Sequence, residues 1–196
     1  MLWDGICRLS FWGLIALMLA PDCCQARNIQ SFTLSDDGQH LTIVLSDKTS
    51  FSAPRDGSNN FVPVEQQEGF RDVFVSPNRQ LIGWTATFPN LSMSYPVSLS
   101  LVIHDGVRVV RTLSNEWGII SSWHFSPDSR SVVYRTEFPH GLSPVEFRRV
   151  RIADGKTSAI FSCYPPDPKQ QVLKWSHPPK WTRASDLPCA WDASTR

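Results

Sequence analysis

Trp123-His124-Phe125-Ser126-Pro127-Asp128-Ser129-Arg130-Ser131-Val132-Val133-Tyr134 is a short apolar run, a polar turn and a second run in which apolar residues alternate. Period-2 alternation puts successive side chains on opposite faces of an extended chain, so the stretch reads as two strands joined by a tight turn. It recurs. Fifty positions earlier stands Val73-Phe74-Val75-Ser76-Pro77-Asn78-Arg79-Gln80-Leu81-Ile82-Gly83-Trp84, and fifty positions later the opening half returns as Leu173-Lys174-Trp175-Ser176-His177-Pro178.

The agreement extends downstream. Ile82, Trp84, Ala86 and Phe88 alternate and stop at Pro89; Val132, Tyr134, Thr136 and Phe138 alternate and stop at Pro139, as expected where proline removes a ladder donor. Each Phe-Pro leads through a loop to a third strand, Pro96 to Ile103 or Pro144 to Ile152. Each third strand runs into an Asp-Gly turn, Asp105-Gly106 or Asp154-Gly155, and then a fourth strand, Val107 to Leu113 or Thr157 to Phe161. A period near 50 with four strands per unit points to a propeller or an array; a plain β-sandwich has no reason to repeat Phe-Pro and Asp-Gly at matching offsets.

These residues carry a resemblance. Phe125-Ser126-Pro127-Asp128-Ser129-Arg130-Ser131-Val132-Val133-Tyr134, followed by Val150-Arg151-Ile152-Ala153-Asp154-Gly155-Lys156-Thr157, resembles the blade motif of bacterial periplasmic Tol-type and WD-repeat-like β-propellers. Ser129 stands where the motif has glycine, and the stretch from Phe70 to Trp117 matches less closely. The resemblance implies an all-β fold of antiparallel four-stranded repeats, a partial or small β-propeller. It implies little about function, because such repeats serve scaffolds, binding modules and non-catalytic domains alike.

The flanks are shorter. Ser31 to Leu45 reads as a hairpin around Ser35-Asp36-Asp37-Gly38, a turn expected to occupy the place of Ser126-Pro127-Asp128-Ser129. Residues 54–69 form a polar connection that reads as a loop, a plain linker before a mobile segment, though the best place in the chain for one. From Cys163 to Arg196 the chain is proline-rich, with one strand expected over Gln171 to Trp175. Trp175, Trp181 and Trp191 suggest a tail packed on the body, with an aromatic ligand platform as the alternative. Two full units and two partial ones are fewer than the four or more blades of a closed propeller, so either the flanks form degenerate blades or exposed sheet edges need a cover.

Residues 1–26 differ from the rest. Arg8, the apolar run Phe11 to Ala20 and Cys24-Gln25-Ala26 read as a secretory signal cleaved after Ala26. A transmembrane anchor would need about twenty apolar residues, and Pro21 and Asp22 precede Cys23 where a lipoprotein would place small apolar residues. Cleavage would leave 18 basic and 16 acidic side chains and two of the five cysteines, Cys163 and Cys189. An even pair in an oxidising compartment is expected to form a disulfide, contributing roughly 3 to 4 kcal/mol on the chain-entropy estimate. The resulting plan is a signal peptide over 1–26, a propeller-like domain over 27–163 and a tail over 164–196, in a periplasmic or secreted protein.

Composition excludes little beyond a polyanion-binding chain: 41% of the 196 residues are apolar and the formal charge is +1, which gives no electrostatic footprint for nucleic acid. No Gly-x-Ser-x-Gly elbow occurs, and Ser35, Ser76 and Ser126 recur where a turn wants serine, with no histidine common to the copies. His40, His104, His124, His140 and His177 lack metal-ligand spacing, so His124 reads as a strand-face residue. Asp36-Asp37-Gly38 lacks the further carboxylates of a calcium loop. Asn90-Leu91-Ser92 is a sequon that matters only in a eukaryotic secretory route, and Arg149 and Arg151, sharing a face, could meet an anion or simply be solvated.

No catalytic, cofactor-binding or metal residue is therefore nominated; the named site pair is the bridge Cys163 and Cys189. No cofactor, nucleic acid or membrane span after signal cleavage is expected. The function expected is binding or scaffolding, with a protein partner or self-association through exposed sheet edges. The rival is a hydrolase whose site is assembled from separate loops, and the place to look is what is not repeated: the 54–69 loop, the Phe-Pro loops and the tail.

Overall fold

A computed structural model describes residues 28–90, 95–114, 118–138, 145–162 and 179–182. The leader, Cys163, Cys189, Leu91 and Ser92 of the sequon, His140, His177 and the strand expected over 171–175 lie outside the described residues. Eleven strands and one 3-10 turn (Val64–Gln66) make up the described chain. Sheet I holds β1 (Ile29–Leu34), β2 (Leu41–Leu45) and β3 (Ser50–Ser52). Sheet II holds β4 (Gly69–Val75), β5 (Ile82–Phe88), β6 (Val97–His104) and β7 (Val109–Ser114); sheet III holds β8 (Ile119–Phe125), β9 (Ser131–Glu137), β10 (Glu146–Arg151) and β11 (Thr157–Ser162). Each sheet is an antiparallel meander in chain order, so the fold is all-β, built from four-stranded repeats in a partial propeller-like plan. No helix among the described residues is long and apolar enough to cross a membrane.

The alternation read from the sequence sets the packing. Ile82, Trp84, Ala86 and Phe88 of β5 are fully buried and meet Ile29, Leu41, Ile43 and Leu45 of sheet I in one core. The odd positions of β5 face sheet III, where Leu101 and Ile103 join Trp123, Phe125, Val132 and Tyr134 in a second core. Fully burying one such side chain is worth about 1.5–3 kcal/mol, so β5, buried along its whole length, anchors the stack. Gly83 lets Trp123 lie close: a Cβ there would come within 2.6 Å of both the Trp123 ring and Ile103. The Trp123 indole N–H then donates to Asp72 O at 2.8 Å, tying the first strands of sheets II and III together at the bulge in β4.

The repeated turns share one hydrogen-bond set. Ser76 Oγ donates to Asn78 Oδ1 (2.8 Å) and accepts from Leu81 N–H (2.9 Å); Ser126 Oγ donates to Asp128 Oδ1 (2.6 Å) and accepts from Ser131 N–H (3.0 Å). The fourth turn residue is left-handed in both, Arg79 at φ +59° and Ser129 at φ +59°. Ser35-Asp36-Asp37-Gly38 repeats the chemistry: Ser35 Oγ donates to Asp37 Oδ1 (2.6 Å), accepts from His40 N–H (2.9 Å), and Gly38 has φ +70°.

Its place in the blade, however, differs from the expectation. The expected hairpin is present as β1 and β2, and β3 extends it to three strands, which match the second, third and fourth strands of the sheets that follow. The β2–β3 turn is capped by Asp47, whose Oδ1 accepts from Thr49 N–H (3.0 Å), as Asp105 and Asp154 cap the third turns of sheets II and III. Phe51 on β3 rests on His104 at the end of β6, the layer relation that β7 has to sheet III, where Arg111 donates to Ile152 O and Ala153 O. The start of β1 meets the first turn of sheet II, with Ile29 N–H donating to Arg79 O (2.8 Å) and Arg79 Nε to Ile29 O (2.9 Å). Among the described residues, sheet I thus has no counterpart of the first strand that β4 and β8 supply to sheets II and III.

Candidate functional site

The segment between sheets I and II, residues 54–69, has no counterpart between sheets II and III. It is not a free connection. Gln67, 1% exposed, crosses it: its Oε1 accepts from Gly57 N–H (3.1 Å) and its Nε2 donates to Gly69 O (3.1 Å). Ser100 Oγ, from β6, donates to Gly57 O (3.1 Å) and Ser58 O (2.9 Å). Asn59 Oδ1 accepts from Phe61 and Val62 N–H, and Arg55 donates to Gln67 O and Gln39 O. Gly57 presses so closely on β5 that a Cβ would stand 2.2 Å from Ala86 Cβ. In the sequence, glutamine and glycine here look like generic loop residues, because hydrogen bonds made at a distance leave no periodic signal of the buried network they form.

The pinned segment forms one wall of a cleft of about 680 Å³. Glu65, Glu68 and Arg55 stand on that wall, Asp37 and Gly38 of the β1–β2 turn face them, and Phe70, Arg71, Pro89 and Pro96 complete the lining from sheet II. Glu65, Glu68 and Arg71 are exposed, so the cleft offers both signs of charge around a small apolar floor. Asp37 is held ionised below the usual carboxylate range, first by the Ser35 hydroxyl and then by Gln39 N–H. Gly38 also joins the layers, its carbonyl accepting from Phe70 N–H at 2.7 Å. Asp37 belongs to a turn that two sheets share, and its carboxylate is used by that turn.

The other residues singled out from the sequence fall elsewhere. Ser35, Ser76 and Ser126 spend their hydroxyls on their own turns, which places no serine beside a histidine base in these loops. His104 is buried between Phe51 and Trp84, with ring centroids 5.0 and 6.1 Å away, and its Nδ1 accepts from Gly106 N–H (2.9 Å). Burial pushes its pKa down, against a smaller upward pull from Asp105. Arg149 and Arg151 follow the predicted face, but Arg151 is paired with Asp154, whose carboxyl it holds down at about 2. Arg148 is likewise paired with Glu146 at 2.6 Å.

Of the three tail tryptophans, Trp181 is described, and it packs on the cluster of Val133, Phe147 and Phe161 on the outer face of sheet III. Arg135 lies on the same face with its side chain 9% exposed; it pairs with Glu137 (2.8 Å) and donates to Ser121 Oγ (3.1 Å). Burial lowers its pKa more than Glu137 raises it. These contacts are structural, at the end of the stack remote from the 54–69 segment.

No family model matches the sequence, and no curated protein matches it. Among solved structures, a putative 6-phosphogluconolactonase from Bacteroides fragilis aligns with a TM-score of 0.37 at 11% identity, over 65% of this chain and 33% of that one. A eukaryotic initiation factor aligns with a TM-score of 0.31 at 15% identity, over 67% of this chain and 42% of that one. The chain therefore spans less than half the length of either. On its own sheets and registers it is an all-β stack of antiparallel repeats, partial or small and propeller-like in plan.

Proposed function

We propose that this chain is an exported binding or scaffold protein, kin in plan to Tol-type and WD-repeat-like β-propellers, that holds a segment of a protein partner in the cleft between sheets I and II. The observation that carries this is the 54–69 segment: a non-repeated insertion, fixed by buried hydrogen bonds, that walls a cleft of about 680 Å³ lined by exposed charges of both signs. A pre-formed wall lowers the ordering cost of binding, and mixed charge around Phe70 and two prolines suits an extended peptide. Residues 1–26 serve as the signal peptide, 27–163 as the propeller-like domain and 164–196 as a tail closed by a Cys163–Cys189 bridge, in the periplasm or outside the cell. The packing of Trp181 on sheet III supports the tail assignment.

The test is selection of displayed peptides on the immobilised chain. Enriched peptides should lose at least tenfold in affinity against Arg71→Glu and against Glu68→Lys, and keep their affinity against Lys156→Glu, which is remote from the cleft. Peptides indifferent to both cleft reversals would refute the site. Thiol titration of the denatured, unreduced exported chain tests the bridge, two free thiols being the refuting result.

A further inference from the structure

The seam between sheets I and II holds a titratable ring outside the lining of the cleft. β3 is the slightest strand of sheet I, three residues long and, among the described residues, paired with β2 alone. Its one apolar side chain, Phe51, lies on the His104 ring at 5.0 Å with the planes 30° apart, and Trp84 lies against the same ring at 6.1 Å and 34°. His104 is 4% exposed, and its Nδ1 accepts from Gly106 N–H at 2.9 Å, which requires that nitrogen to carry no proton.

The seam continues into the cleft wall. His104 and Ser100, paired with Ile82 and Ala86 of β5, share with them the face of sheet II turned to sheet I. Phe51 meets His104, and just past β3 the Ala53 N–H donates to Leu41 O (2.8 Å). Thr112 Oγ1 then donates to Asp56 O (3.3 Å), and Ser100 Oγ donates to Gly57 O and Ser58 O. Residues 51–58 therefore lie along sheet II, fastened at one end by His104 and at the other by Ser100. We propose that His104 is an acid-sensitive catch on this seam: neutral, it holds β3 and the root of the wall on sheet II, and protonated, it lets them lift.

A proton on Nδ1 sets an N–H against the Gly106 N–H and puts a charge between two rings, which attract a cation but offer it no oxygen. The packed strands supply no counter-charge. β1, β2, β3 and β5 contribute no titratable side chain, and β6 has His104 alone. On β7, Arg111 donates to Ile152 O and Ala153 O of sheet III. Past β3, Arg55 donates to Gln67 O and Gln39 O, with Asp56 beside it. In the flanking turns Asp47, next to Lys48, accepts from Thr49 N–H, and Asp105 accepts from Val107 and Arg108 N–H and pairs with the Arg108 guanidinium. Asp105 pulls on the ring, and burial outweighs that pull. β6 is paired on both sides, so relief comes by movement of the three-residue edge strand. With the lifted ring titrating near the ordinary 6.5 and the seated ring below it, lifting becomes about tenfold more populated between pH 7.5 and 5.5.

Hydrogen–deuterium exchange of the full chain, corrected for intrinsic rates, reads the catch at the Ala53 N–H. Its opening should rise about tenfold from pH 7.5 to 5.5 and stay nearly constant between 0 and 1 M urea, while β5 amides open with the full urea slope of global unfolding. In His104→Asn, which still accepts from Gly106 N–H, the rise with acid should vanish. Ala53 opening that follows the β5 urea slope would overturn the proposal, as would an equal rise in His104→Asn; if that variant fails to fold, the wild-type pH and urea arms decide alone. The consequence for a ligand rests on the cleft reading: a selected peptide at ten times its Kd, bound only with the wall seated, should lower Ala53 opening about tenfold. A bound peptide that leaves this opening unchanged would refute the link to the cleft, whereas a chain that selects no peptide fails the cleft reading and leaves Ala53 exchange to decide the catch.

Discussion

Replacing Gly57 by alanine tests whether the cleft wall is fixed by contact with β5. The added Cβ would stand 2.2 Å from Ala86 Cβ, 3.0 Å from Gln67 Oε1 and 3.4 Å from the Phe88 ring. Carbon atoms pack at about 3.5–4.0 Å, so one side must retreat by roughly 1.5 Å. β5 cannot, being paired to β4 and β6 and buried along its whole length. The 54–69 segment must lift. That movement stretches Gly57 N–H to Gln67 Oε1 and Ser100 Oγ to Gly57 O, both 3.1 Å, beyond hydrogen-bond range. A buried polar group left unpaired costs about 1–3 kcal/mol, and overpacking costs the same order, so Gly57→Ala should lose about 2–4 kcal/mol. The assay is urea unfolding followed by tryptophan fluorescence. Ala86→Gly removes the atom in the way, and the double variant should recover at least about 1 kcal/mol relative to additivity. A loss below about 0.5 kcal/mol, or strictly additive single effects, would refute the contact as the fastener.

Two further expectations follow from the layers. Gly83→Ala should cost about 1–3 kcal/mol by driving a methyl into the Trp123 ring and Ile103, each 2.6 Å away, and in the Trp123→Phe background the same substitution should cost measurably less; equal costs in the two backgrounds, by thermal unfolding, would dismiss the close approach of sheets II and III. His104 makes stability pH-dependent: its folded pKa lies below the ordinary value near 6.5, so as pH falls through that value the unfolded chain takes up the proton first and stability declines until the folded pKa is passed. Urea midpoints should fall between pH 7.5 and 5.5 in the wild type and fall less in His104→Asn, whose side chain can still accept from Gly106 N–H; an unchanged slope would exclude His104 as the source.

What the sequence made legible was what repeats. Ile82 to Phe88 and Ser131 to Tyr134 reveal strand, face and register because burial on a pleated sheet imposes period 2 directly on residue choice. Asp105 and Asp154 reveal turns because their carboxylates accept from backbone N–H groups two or three residues on, and Ser76 and Ser126 because each hydroxyl donates to the side chain two residues on and accepts from the N–H five residues on. The cleft had no such signature. Gln67 accepts from Gly57 N–H ten residues before it, and Ser100 reaches Gly57 from 43 residues on, contacts that only the finished stack of sheets creates. Phe138, read as the last member of an alternating face, lies past the end of β9 and is 37% exposed, because alternation cannot mark where pairing stops.

The misplacement of the first turn has a different cause. Ser35-Asp36-Asp37-Gly38 and Ser126-Pro127-Asp128-Ser129 form the same hydrogen bonds, so local chemistry offers nothing to tell them apart. What separates them is the neighbouring layer. Gly38 offers its carbonyl to Phe70 at the beginning of β4, whereas Arg79, in the first turn of sheet II, clasps Ile29 at the beginning of β1. In a four-stranded meander the first turn and the start of the first strand lie at opposite ends of the sheet, so a turn beside the start of β4 joins second and third strands. The interval of 41 residues separating Ser35 from Ser76, against 50 separating Ser76 from Ser126, records that shift along the chain. Once β1 is a second strand, the first strand that β4 and β8 supply to their own sheets has no counterpart beside β1 among the described residues, and the order of strands in sheet I follows from that offset.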